Sequence, residues 1–155
     1  MCKKQLTLYE EMQKYAVGLH VGLYSLDEFS RFLDAEILAA DTVPDICIHA
    51  FFSISCGAEA VLSSIRDSFY ECGYQPQDTA GCTVEKAVLT RIREKYQCHA
   101  FSLKQACEML QKVSLHFDPY SEINVLADYY ALAEQGIFYT MEQVQDMLEK
   151  ALNIK

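Results

Sequence analysis

Apolar residues in this chain recur at steps of three and four, the period of a helix with one buried face. Leu8, Met12, Tyr15 and Leu19 make a first stripe, and Leu26, Phe29, Leu33 and Ile37 a second. Ile48, Phe51 and Phe52 follow Pro44, a residue suited to a helix's first turn. Ala58, Val61, Leu62, Ile65 and Phe69 run up to Gly73, a C-cap candidate. Val84, Ala87, Val88, Ile92 and Tyr96 come after Thr83, and Leu103, Ala106, Leu110 and Val113 after Ser102. Ile123, Leu126, Ala127 and Tyr130 precede Gly136, a second C-cap candidate. Met141, Val144, Met147, Leu148 and Leu152 close the chain. No stretch alternates with the period of a strand. "CIHAFFSISC", Cys47 to Cys56, is ambiguous, and Pro44 tips it toward helix. The expectation is an all-α, single-domain bundle of about eight helices, arranged as antiparallel hairpins.

Three phrases say where helices begin. "GLYSLDEF", "AFSLKQA" and "FYTMEQV" each read aromatic, hydroxyl, apolar, free position, then Glu or Gln. Ser25 with Glu28, Ser102 with Gln105 and Thr140 with Gln143 are capping boxes, in which hydroxyl and acid or amide satisfy each other's backbone amides. The preceding aromatics, Tyr24, Phe101 and Tyr139, are placed to staple onto Phe29, Ala106 and Val144. The spacing of the boxes would suit a helix-pair repeat of about 38 residues. The box such a repeat needs near residue 63 is missing, which favours a bundle. "GYQPQDTAGC", Gly73 to Cys82, is the longest irregular stretch and the hinge candidate within residues 1–155.

Composition narrows the classes. With 155 residues, 51% of them hydrophobic, the chain can bury a core of its own. No apolar run approaches the ~18 residues of a membrane span. The opening "MCKKQLTLYEEMQKYA" has neither an apolar h-region nor a cleavage site, so no targeting segment and a cytoplasmic location are expected. The seven cysteines are odd in number and widely spaced, which suits reduced thiols packed as small hydrophobes. The formal charge is -9, with 12 acids and 5 bases in residues 1–80 against 10 and 8 in residues 81–155. Such a chain repels nucleic acid and anionic lipid and attracts a basic protein.

Little points to bond-making chemistry. Cys98 and His99 are adjacent, which does not aim one side chain at the other. The four histidines show no zinc-protease spacing, there is no Gly-rich phosphate loop, and CxxC is absent. No metal or other cofactor is expected. Arg93 and His99, in "REKYQCH", are similar to the Arg-x4-6-His motif of HEPN-type helical ribonucleases. That resemblance implies an arginine steadying phosphate charge and a histidine moving a proton. Glu94 beside the arginine would oppose RNA, and a solvated helix end is the plainer account of both residues.

The acidic stretch "LDEFSRFLDAEILAADTVPD", Leu26 to Asp45, carries Asp27, Glu28, Asp34, Glu36, Asp41 and Asp45 against Arg31 alone. At 100° per residue Asp27, Asp34 and Leu38 share one flank, with Asp41 and Asp45 in the next turn and helix start. Asp34, Glu36, Asp41 and Asp45 are therefore candidates for a docking surface, against the alternative of caps and a solvated face. Tyr120, in the turn "HFDPYSE", and Tyr129, in "LADYYALAEQG", are candidate partner anchors, against the alternative of ordinary helix contacts.

"AVGLHVGLYSLDEFSRFLDAEILAADTVPDICIHA", followed late in the chain by "LADYYALAEQG" and a capped last helix, resembles small all-helical immunity proteins of bacterial toxin–immunity systems, including those of contact-dependent growth inhibition. The resemblance covers most of the chain in layout. It implies a non-enzymatic protein that covers the active site of a cognate toxin domain, often a basic nuclease, with carboxylates standing in for nucleic-acid phosphates. A helical scaffold or dimerisation module with no ligand is the alternative from a third class.

Overall fold

The computed structural model describes residues 5–118 and 122–154, so Tyr120 and Cys2 lie outside the described residues. The fold is all-α. The helices are α1 (Leu8–Val21), α2 (Leu26–Ala39), α3 (Asp45–Ser53), α4 (Ala58–Cys72), α5 (Thr83–Gln97), α6 (Leu103–Phe117), α7 (Leu126–Glu134) and α8 (Met141–Ala151). Short 3-10 turns at Ile54–Cys56 and Glu122–Val125 extend α3 and lead into α7. Contacts group into two compact units, Met1–Gln77 and Asp78–Lys155, divided inside the Gly73–Cys82 stretch.

The helix starts follow from cap chemistry. All three expected boxes form, with Ser25, Ser102 and Thr140 accepting from the N3 amides at 3.1, 3.2 and 3.2 Å. A fourth box, Thr7 with Glu10, opens α1. A thiol version opens α5: Cys82 Sγ accepts from the Glu85 amide at 3.4 Å, while Glu85 Oε1 accepts from the Gly81 amide. The aromatics before the boxes find partners on the preceding helices. Tyr24 lies 4.8 Å from Tyr15 of α1, Tyr139 lies 4.5 Å from Tyr129 of α7, and Lys95 of α5 sits over the Phe101 ring.

In the first unit α1 and α3 pack on α4, and α2 packs on α3. The core is Met12, Phe29, Leu33, Ile46, Cys47, Ala50, Val61, Ile65 and Phe69. Each of the larger side chains among them is worth about 1.5–3 kcal/mol of apolar burial, less what ordering it costs. Gly18, inside α1, meets the Tyr24 ring so closely that an added Cβ would lie 2.0 Å from Tyr24 Cδ2. Gly22 at φ 83° lets the chain reverse there, and its amide caps Gly18.

In the first unit Gln13 is a polar side chain buried with its partners. Gln13 Nε2 donates to the Gln77 carbonyl at 2.6 Å, and Gln13 Oε1 accepts from the Gln77 amide at 2.9 Å and the Tyr74 hydroxyl at 3.2 Å. Gln77 Nε2 adds a bond to Glu10. Tyr74 stacks on Tyr9 and tilts against Phe69, so the segment after α4 is fastened onto α1.

In the second unit α6 packs on α5, α7 and α8, and α7 on α8. Val84, Val88, Ile92, Leu110, Val113, Val144 and Leu148 are buried there, together with Cys107. Burial pushes the Cys107 thiol up to about 11, so it carries no thiolate at neutral pH. The six described cysteines are all free thiols.

Candidate functional site

The first unit holds the acidic candidates. Residues 5–77 contain eleven Asp and Glu against three Lys and Arg. Each of those cations already lies beside a carboxylate of its own helix: Lys14 with Glu11 at 2.7 Å, Arg31 with Asp27, and Arg66 with Asp67 at 3.9 Å. The field of this unit is therefore negative, with its positive charge locally matched.

Asp34, Asp41 and Asp45 are exposed, on α2, in the α2–α3 connection and at the first position of α3. Leu38 shares the flank of Asp34 and is 87% exposed, which agrees with that flank facing water. Asp45 also reaches Tyr9: the phenol is pushed above its ordinary range first by a hydrogen bond with Cys72, then by burial, with Asp45 adding to it. Glu36 stands apart from the other three. It lies about 60° around the helix from buried Leu33 and about 160° from Asp34, so it turns toward the interior. It is half-buried, and it pushes the Cys47 thiol up, after burial itself as the larger cause.

Tyr129 belongs to the second unit. It is half-buried against Tyr139 and, with Met147 and Lys150, lines a groove of about 570 Å³ between α7 and α8. Its ring contributes to helix packing and remains partly accessible.

Arg93 is half-buried on α5, while His99 is exposed just beyond that helix. His99 has φ 60°, and the Phe101 amide closes the turn onto the Lys95 carbonyl. This is a helix stop with histidine where glycine is favoured. His99→Gly is expected to raise stability by about 1 kcal/mol, read as a higher Tm, by removing a left-handed side-chain clash. A fall in Tm would show that the imidazole makes contacts worth more than the strain.

Sequence reasoning passed over a groove between α3 and α4, of about 510 Å³. Its α4 wall is a helical stripe of small and acidic residues, Ala60, Ser63, Ser64, Asp67, Ser68 and Glu71. The signal was present as small residues at steps of three and four, but it reads equally as close helix packing. Among the described residues, no three His, Cys, Asp or Glu side chains gather to hold a metal ion, and no helix is long and apolar enough to cross a membrane. No protein-family model, no curated protein and no solved structure matches the chain.

Proposed function

We propose that this protein is a non-enzymatic binding protein that captures a basic partner domain through the acidic first unit, in the manner of an immunity protein neutralising a nuclease-type toxin. The observation that carries the reading is the excess of carboxylates in residues 5–77, where every described cation is already matched within its own helix. An acidic rigid helical surface speeds association with a basic protein and selects against acidic ones. Asp34, Asp41 and Asp45 are the exposed contributors in the α2–α3 stretch, with Glu36 set back from them. Reduced cytosolic conditions belong to this reading, and the free thiols accord with them.

The test is co-expression with the product of the flanking gene, followed by co-purification and growth rescue. Rescue together with a stoichiometric complex is the expected result. The combined variant Asp34→Lys, Asp41→Lys, Asp45→Lys should slow association about tenfold at low salt and flatten its salt dependence. Unchanged rates and an unchanged salt slope would remove these three residues from the docking surface. RNA cleavage abolished by His99→Ala would replace the whole reading with a catalytic one.

A further inference from the structure

Resting on that reading of a basic partner, we infer that the α3–α4 groove is the socket for an arginine side chain of the partner. Ser68, on the groove's α4 wall, is 7% exposed, and its Oγ is buried without a hydrogen-bond partner. A buried hydroxyl left unmet is uncommon, and it gains what it lacks when a donor enters. Rotation about its Cα–Cβ bond moves the oxygen between staggered positions, so the hydroxyl can turn to meet one. Ser63 and Ser64 line the same wall, with the carboxylates of Asp67 and Glu71 farther along it.

This wall already receives a guanidinium at its edge. Arg66 Nη2 donates to Ser63 Oγ at 3.1 Å, and its Nε lies 3.9 Å from Asp67 Oδ1. That pair is exposed on both sides, with side chains 77% and 68% accessible, so it exchanges readily for a better-enclosed one. Across the groove, α3 contributes His49, Ser53 and the aromatic ring of Phe52, which is 72% exposed. Serine oxygens, a carboxylate pair and an aromatic ring match the planar, five-donor arginine head better than they match a lysine. The carboxylates rule against an anionic ligand. Phe51, 45% exposed, and Ile48 are further apolar side chains that α3 leaves accessible.

The test titrates the uniformly nitrogen-15-labelled full chain with N-acetyl-arginine N-methylamide, following backbone amide shifts by NMR. The neutral citrulline analogue and the lysine analogue serve as controls. Saturable shifts at Phe52, Ser63, Ser64, Asp67 and Ser68 are expected, with citrulline at least about tenfold weaker. Asp67→Asn with Glu71→Gln should weaken arginine about tenfold while amides elsewhere in the first unit keep their positions. Ser68→Ala should weaken binding but leave Tm unchanged or higher, because it deletes an unmet hydroxyl. Equal response to citrulline, an unaffected double variant, or the absence of saturable shifts would overturn the socket. Shifts confined to Asp34, Asp41 and Asp45 would overturn it too, yet leave the acidic-capture reading standing. Failure of that reading itself is scored separately, by the flanking-gene experiment.

Discussion

Replacing Gln13 with leucine is expected to cost the first unit about 2–4 kcal/mol, measured as a fall in the urea midpoint and in Tm. Leucine fills similar space, so little of the loss would come from packing. The loss comes from the partners left behind: the Gln77 amide and carbonyl and the Tyr74 hydroxyl. Each is partly buried, and an unmet group of this sort costs about 1–3 kcal/mol where water cannot replace the bond. Gln13→Glu provides an internal check. A carboxylate still accepts from the Gln77 amide, but it must be protonated to donate to the Gln77 carbonyl. The folded form of this variant therefore holds a proton more tightly than the unfolded chain, and its stability should be greatest in acid and fall as pH rises. A leucine variant within about 0.5 kcal/mol of the parent would show that water takes over the amide's bonds.

Gly18→Ala is expected to destabilise by about 2 kcal/mol, against the usual trend. A glycine inside an exposed helix ordinarily costs about 1 kcal/mol relative to alanine, so the bare expectation is a gain. Here the new methyl would lie 2.0 Å from Tyr24 Cδ2 and 3.1 Å from Cγ, so the base of the ring, and not a flexible tip, must give way. Moving Tyr24 also gives up its contact with Tyr15 and its place under Lys14 Nζ, 5.5 Å above the ring. In a Tyr24→Ala background the obstacle is gone, and the same change should become neutral or stabilising by up to about 1 kcal/mol. The double-mutant coupling, about 2–3 kcal/mol, is the decisive quantity. Additive effects would mean that the ring and the glycine are energetically independent.

Local chemistry made the helices legible. Ser25, Ser102 and Thr140 announce their boxes within four residues, and Gly73 takes the left-handed cap expected of it at φ 74°. The Thr7–Glu10 box is equally local, but Thr7 follows a leucine and so lacks the aromatic that marks the other three. What depended on distant neighbours was not legible. Gln13 looks like any polar residue on a surface helix until Gln77 is brought to it from 64 positions away. Gly18 looks like a weak point in α1 until Tyr24 folds back over it. Glu36 was countable as one more acid, although its angle to Leu33 already placed it inward. The α3–α4 groove was hidden for a different reason: serines at helical spacing carry no sign of whether a neighbouring helix fills the space above them. Tyr129 in the sequence suits a rim or a helix contact alike, and its 4.5 Å approach to Tyr139 depends on a helix turn that local spacing does not reveal.

The Gln13 clasp also sets where the chain tolerates being cut. It turns the stretch from α1 to Gln77 into a ring closed by side-chain bonds rather than by a covalent link. A polypeptide ending at Gly73 would leave that ring open, with the buried amide facing solvent and Tyr9 stripped of its stacked neighbour. A polypeptide ending at Asp78 keeps every strut of the closure. During synthesis the same logic applies in time: the ring cannot shut until Gln77 has left the ribosome, however early α1 has coiled.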